Sequence, residues 1–339
     1  MVNEDIFTTQ LKEGMILGKD VFDSYGRLIL PKHSVLTKHM IIKIKNHKVD
    51  KVNITYSREF KRFEETLLQS VNHLRGSLNH IILKNEKIDV QELIKEIEDI
   101  EKQSKSSLHV FDMLQLMRGY DDATYIHCVN VALICSMMGR WLDFPKEEVQ
   151  VLTLCGLLHD IGKLMVPEEI IKKPSCLSKS ESATIKMHPS LGYEILKDEG
   201  LDNRIIEAVY AHHERCDGTG YPRGIKGHEI SDFTKIVTIA DVYDAMTSNR
   251  VYRGAICPFD VIEEFRKEGF LKYDARYLLV FLERVVETYI NKTVLLNNNK
   301  KGYIVMINKQ MLSRPVVRVD NGYVDLSKNY NLKIESVLF

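Results

Sequence analysis

The sequence predicts a mainly α protein with a small α+β module at its amino end and a short β-rich segment at its carboxyl end. Three observations carry this expectation. From about residue 106 to 292 one helix-like stretch follows another, with Pro and Gly as punctuation and almost no period-two alternation. Residues 1–56 alternate short apolar runs with turn signals, and residues 293–339 return to strand-like runs. Between them, residues 57–105 are charged and carry an apolar stripe at helical spacing.

In chain order, Tyr25-Gly26 precedes the run Leu28-Ile29-Leu30, which Pro31 closes. Met40 to Lys45 reads as a short helix, followed by a strand through Val49, Val52 and Ile54. In the 57–105 helical linker, Phe60, Phe63, Leu67, Val71, Leu74, Leu78 and Ile81 recur at spacings of three and four. That stripe suits either a homodimer contact through the 60–82 helix or packing on its own domain. Helices are expected near 121–141, 146–163, 180–197, 202–214, 232–248, 258–269 and 274–291. Strands follow at Tyr303–Ile307 and Pro315–Val319, and Asp320-Asn321-Gly322 reads as a hairpin turn.

Composition narrows the function classes. Of 339 residues, 47 are Lys or Arg and 47 are Asp or Glu, so no global basic field points to a nucleic-acid polymer. The six cysteines are scattered without a CxxC pair, which argues for a reducing compartment and against a cysteine-rich zinc site. The opening MVNEDIFTTQLKEG is not a signal peptide, and no run approaches the roughly 18 apolar residues of a membrane span. A soluble, cytoplasmic protein is expected.

The chemistry begins in the apolar stretch LTLCGLLHDIGK, Leu152 to Lys163, which reads as a buried helix carrying adjacent His159 and Asp160. Burying an unpaired carboxylate costs several kcal/mol. A divalent metal removes that cost, because imidazole and carboxylate both ligate zinc, manganese or iron. Lys163, one helical turn beyond His159, adds a cation suited to an anionic substrate. Further candidates fall at other polar interruptions: His127, His188, the pair His212-His213, and Asp241 inside an apolar helix. Any one of these histidines is as well explained as a satisfied core residue; the set is not. Neighbouring helical residues diverge by about 100°, so each adjacent pair can address two ions. Five histidines and two aspartates exceed the needs of one tetrahedral ion. They suit two ions roughly 3.5–4 Å apart with Asp160 as the bridge. Ligands of these types accept iron, manganese or zinc, and the residues alone do not choose among them.

After the histidine pair comes CDGTGYPRG, in which Gly218, Gly220 and Gly224 permit close backbone approach and Tyr221 offers a ring and a hydroxyl. Asp244 then opens a run in which Arg250 and Arg253 are one turn apart, a spacing suited to phosphate or a guanine edge.

HDIGK, HHERCDGTGYPRG and IADVYDAMTSNRVYR together resemble the HD-GYP domain, a subgroup of the HD phosphohydrolases, over about residues 110–290. The resemblance implies an all-helical catalytic domain, here placed at 106–292, that hydrolyses cyclic di-GMP to linear pGpG, GMP or both. It implies metal ligands at His127, His159, Asp160, His188, His212, His213 and Asp241. Asp160 and Lys163 would serve catalysis, Lys163 by holding the scissile phosphate. Gly220, Tyr221, Asp244, Arg250 and Arg253 would line the nucleotide groove. Two departures stand out. Ala123 occupies the position where some members carry an acidic ligand for a third metal, with Asp121 and Asp122 close by but turned elsewhere on a helix. Val251 replaces the proline of the usual SDRPYR run.

The expected mechanism is in-line attack by a hydroxide bridging two divalent ions, with Lys163 and the ions stabilising phosphoryl charge. Two rivals differ in class. A mononucleotide phosphohydrolase needs the HD core but no 216–224 loop, and a non-catalytic cyclic-dinucleotide sensor would be expected to have lost ligands.

Overall fold

The computed structural model describes residues 1–11, 14–84, 87–103, 110–111, 114, 123–248 and 255–338. Its contacts group the chain into two units, one of Met1–Glu65 with Tyr289–Phe339 and the other of Thr66–Thr288.

In the first unit, β1 (Val2–Phe7) and β2 (Ile16–Leu17) flank β5 (Lys51–Tyr56) in an antiparallel sheet with Val2 opposite Tyr56 and Ile16 opposite Thr55. β3 (Val21–Phe22) and β4 (Leu28–Leu30) form a separate two-stranded antiparallel sheet. Helix α1 (Lys38–Asn46) starts at Thr37, whose hydroxyl accepts the Met40 N–H. Leu17, Leu36, Ile44 and Ile54 are completely buried at the centre of this module. The carboxyl-terminal segment is a five-stranded antiparallel sheet in the order β10 (Ile334–Leu338), β6 (Thr293–Leu296), β7 (Lys301–Met306), β8 (Val316–Val319), β9 (Gly322–Asp325). The turn expected at Asp320-Asn321-Gly322 is there: Val319 pairs with Gly322, and Asp320 has φ 51°. Strands β6 and β10 had no comparable signal in the sequence.

Helices α2 (Arg58–Lys84) and α3 (Val90–Lys102) follow, tied through Glu96, which accepts from Ser70 Oγ and lies 2.9 Å from His73 Nδ1. The α2 stripe of Phe60, Phe63, Leu67, Val71, Leu74 and Leu78 is buried within one chain, so packing accounts for its apolarity. The side chain of Ile81 lies outside the described set.

The second unit is built on an antiparallel pair, α4 (Ala123–Trp141) and α5 (Lys146–Leu158). Both are apolar on nearly every side, the pattern of helices buried all round. Gly156 lets them touch: a Cβ there would lie 2.9 Å from Cys135 Sγ and 3.0 Å from Ala132 Cα. Because the two run antiparallel, the first turn of α4 and the last turn of α5 share one end. The remaining elements include α6 (Glu168–Ile171), α7 (Lys179–Ile185), α8 (His188–Leu196), α9 (Asn203–Ala211), α10 (Asp232–Thr247), α11 (Pro258–Glu264), which continues through a π turn at Phe265–Gly269, and α12 (Ala275–Glu287).

Two expected helices are interrupted, and both breaks serve the site. The stretch 146–163 is not continuous, because α5 ends at Leu158 and Asp160 turns out of helix (φ −101°, ψ 9°) into a tight turn at Ile161–Met165. Packing dictates this: Gly162 is pressed against α8 so closely that a Cβ would lie 2.0 Å from His188 O. The stretch 180–197 divides into α7 and α8, since Pro189 has no N–H to donate and belongs in a first turn.

Candidate metal centre

Five elements deliver polar groups to the shared end of α4 and α5. The first turns of α4 supply His127, and the turn after α5 supplies His159 and Asp160. The first residue of α8 is His188, α9 hands over His212 and His213 as it ends, and α10 contributes Asp241. His127, His159, Asp160, His188, His212 and Asp241 are all buried. Their ligating atoms form two clusters that share Asp160: His127, His159 and Asp160, and Asp160, His188, His212 and His213. Asp160 Oδ2 is 3.3 Å from His159 Nε2 and 3.7 Å from His127 Nε2, while Oδ1 is 3.2 Å from His188 Nε2 and 3.7 Å from His212 Nε2. Asp241 Oδ1 lies 3.1 Å from His127 Nε2 and 3.9 Å from His159 Nε2, with its Oδ2 3.9 Å from His213 Nδ1. All seven sequence-derived ligands therefore meet.

The hydrogen bonds fix which ring atom faces inward. Nδ1 of His159, His188 and His212 lies 2.7, 2.7 and 2.9 Å from the carbonyls of Gly156, Ile185 and Val209. A carbonyl only accepts, so Nδ1 donates and a neutral ring presents its Nε2 lone pair to the centre. His188 Nε2 and His212 Nε2 then face each other at 3.1 Å with lone pairs opposed. His159 Nε2 and Asp160 Oδ1 are buried and make no hydrogen bond. Converging lone pairs and an unsatisfied carboxylate oxygen are what a divalent cation requires, and the donor set fits one.

Charge states agree with that fit. Burial pushes His188, His212 and His213 below the ordinary histidine range; nearby Asp160 opposes this but does not prevail, so the rings are neutral at neutral pH. Burial also pushes Asp160 and Asp241 upward. The Lys163 ammonium beside Asp160, and the histidine rings that converge on both carboxylates, outweigh it and hold both carboxyls well below the usual range.

Lys163 does not share a helical face with His159; the break after Leu158 swings it onto Asp160, where its Nζ pairs with Oδ2. Tyr221 stacks on His213 with ring centroids 4.7 Å apart at 25°, and Lys186 Nζ lies 5.3 Å from the same ring. Gly220 allows this, since a Cβ there would sit 2.4 Å from Glu214 Cα. Asp244, expected in the nucleotide groove, is buried behind His127, with Oδ2 2.7 Å from Nδ1 and Oδ1 accepting from Asn130 Nδ2 at 3.0 Å. Arg250, Arg253, Asp121 and Asp122 lie outside the described residues. Thr238, which donates to His212 O at 2.7 Å, had no signal of its own in the sequence.

The family model described as "HD domain" matches residues 93–277, more than half of the chain. The chain belongs to the HD domain family. HD domains bind divalent metal, and this HD domain has two His/Asp clusters able to take it. Among its relatives, it is 33% identical over 202 residues to cyclic di-GMP phosphodiesterase PA4108 of Pseudomonas aeruginosa, covering 59% of this chain and 48% of that protein. It is 37% identical over 163 residues to 3'3'-cGAMP-specific phosphodiesterase 1 of Vibrio cholerae, covering 47% and 38%. The chain thus spans half or less of the length of these two relatives. In fold it is similar to Bd1817, an HDG"Y"P protein from Bdellovibrio bacteriovorus, with TM-score 0.51 and 15% identity over 84% of this chain and 99% of that one. Among the described residues no helix is long and apolar enough to cross a membrane.

Proposed function

We propose that this HD domain protein is a cytoplasmic phosphodiesterase that hydrolyses cyclic di-GMP to pGpG, GMP or both. The observation that carries the reading is Asp160, one buried carboxylate shared by two histidine clusters beside a loop whose tyrosine stacks on His213. The names of the relatives support the substrate class, and the GYP-type loop favours a cyclic dinucleotide over a mononucleotide.

His127, His159, Asp160 and Asp241 would hold one divalent ion, and Asp160, His188, His212 and His213 a second; iron or manganese suits this set, with zinc as the alternative. Ala123 offers no oxygen for a third. Bound there, the ions would supply Lewis acidity, lowering the pKa of water to about 7 and neutralising charge on phosphoryl oxygens. The chain's own groups do the rest. The partly exposed Lys163 ammonium, held at Asp160, is within the site and binds a phosphoryl oxygen. Asp244 and Asn130 keep His127 in the tautomer that turns Nε2 inward. Tyr221 and Gly220 form one wall, and Arg250 and Arg253 hold the outer half of the dinucleotide. We assign this chemistry to residues 106–292, with 57–105 as a helical link and 1–56 and 293–339 as flanking modules.

Hydrolysis assays on iron- and manganese-loaded protein test the reading, with cyclic di-GMP, 3'3'-cGAMP and a mononucleotide panel as substrates and products resolved by chromatography. Turnover of cyclic di-GMP above the others is expected. Turnover of mononucleotides alone, or binding of a cyclic dinucleotide without cleavage, would replace this reading with one of its rivals.

A further inference from the structure

We propose that Glu214 is a positioning residue that clamps the 215–225 loop and thereby fixes Tyr221 on His213 for substrate binding. The substrate part rests on the phosphodiesterase reading above. Glu214 directly follows the histidine pair and is 1% exposed. Its carboxylate accepts three consecutive backbone N–H groups from the far end of the loop: Arg223 at 2.7 Å and Gly224 at 3.2 Å on Oε1, and Ile225 at 3.2 Å on Oε2. Successive N–H groups turned to one side form an anion nest, and here the anion is the protein's own side chain.

The rest of the loop is arranged around that closure. Tyr221 N donates to His213 O at 3.2 Å, and Gly220 packs onto the Glu214 backbone with no room for a Cβ. Arg223, the first residue held by the clamp, lays its guanidinium 5.1 Å from the Tyr210 ring of α9. Only Pro222 separates Tyr221 from Arg223, so releasing the clamp releases the ring. The Tyr221 ring meets the His213 imidazole by stacking, with centroids 4.7 Å apart. Glu214 is not among the grouped ligating residues of either histidine cluster, which separates its role from ligation.

Glu214→Gln tests the clamp with little change of shape. One of the two acceptor oxygens becomes an NH2 donor, which opposes at least one of the three N–H groups. Hydrogen–deuterium exchange of the metal-loaded full chain should show the amides of Arg223, Gly224 and Ile225 exchanging at least about tenfold faster. KM for cyclic di-GMP should rise about tenfold with kcat changed by less than about threefold, the pattern of lost substrate binding. Metal content should be unchanged. A second variant guards against misfolding: Tyr221→Ala removes the ring and keeps the clamp, so it should raise KM while the three amides stay protected. Unchanged exchange in Glu214→Gln overturns the clamp. Faster exchange with unchanged KM, or unchanged KM in Tyr221→Ala, overturns the link to substrate. Loss of metal in Glu214→Gln would make it a support of the ligands and also overturn the proposal. If the unaltered protein cleaves no cyclic dinucleotide, the phosphodiesterase reading fails, while the exchange comparison still decides the clamp.

Discussion

His127 Nδ1 and Asp244 Oδ2 lie 2.7 Å apart, two buried groups separated by 117 positions in sequence. Asp244 reaches behind the histidine from α10, one turn beyond Asp241, which meets the same ring at Nε2. One helix therefore orients the imidazole from the back and shares its front. Replacing Asp244 by Asn removes the charge that makes His127 a strong donor to metal. Metal affinity should fall by about ten- to a hundredfold, the usual loss for such outer partners. A chelator-competition titration on Asp244→Asn measures this, and undiminished affinity for both ions would remove Asp244 from the centre.

Gly162 supplies a steric prediction. The ideal Cβ lies 2.0 Å from His188 O and 2.5 Å from Gly192 N, both backbone atoms that cannot swing aside. Gly162→Ala should destabilise the fold by about 1–3 kcal/mol and displace His188, weakening metal binding as well. Gly76, exposed in α2 with nothing within 4 Å, is the control of opposite sign. Gly76→Ala should stabilise by roughly 0.5–1 kcal/mol. Thermal melts of both variants with and without metal compare the two directly.

The helical middle and the seven candidate ligands were legible because a polar residue inside an apolar period is conspicuous: His159, Asp160 and Asp241 each break such a run. Helix ends were less legible. The break after Leu158 depends on Gly162 meeting α8, a tertiary contact with no local signature, and it moved Lys163 from the His159 face to Asp160. Asp244 looked like a groove residue because it sits between Asp241 and the arginines in sequence; only helical phase puts it behind His127. Glu214 and Thr238 act through backbone atoms, whose positions no side-chain pattern reveals.

Asp274 gives a pH dependence away from the metal. It caps α12 by accepting Arg276 N at 3.0 Å and pairs with the Arg276 guanidinium at 2.9 Å. Its hydrogen bond to Arg276 leads a set of interactions that hold the carboxyl at about 2. A depressed folded pKa contributes stability above the unfolded value of about 3.9 and loses it as pH falls toward 2. Asp274→Asn keeps a cap acceptor and removes the charge. Its deficit in unfolding free energy should be full above about pH 5, shrink as pH falls through about 2, and vanish near about pH 1. Denaturant titrations across that range check it; a deficit independent of pH would assign the effect to the cap alone.

Lys163 and the two arginines should divide catalysis from binding. Lys163→Ala is expected to lower kcat on a cyclic dinucleotide by about tenfold or more with metal retained. Arg250→Ala and Arg253→Ala should raise KM by roughly ten- to a hundredfold, without affecting hydrolysis of bis(p-nitrophenyl) phosphate. Steady-state kinetics on both substrates separate these effects. Equal losses on both substrates in an arginine variant would place that residue at the metal centre instead.

The most direct test of a centre organised around one shared carboxylate is metal stoichiometry by elemental analysis after anaerobic loading, comparing the unaltered chain with Asp160→Ala. Each cluster includes Asp160, whose Oδ2 lies 3.3 Å from His159 Nε2 and whose Oδ1 lies 3.2 Å from His188 Nε2. The account predicts about two ions per chain, falling to well below one in a folded Asp160→Ala variant. Retention of about two ions by that variant would contradict it.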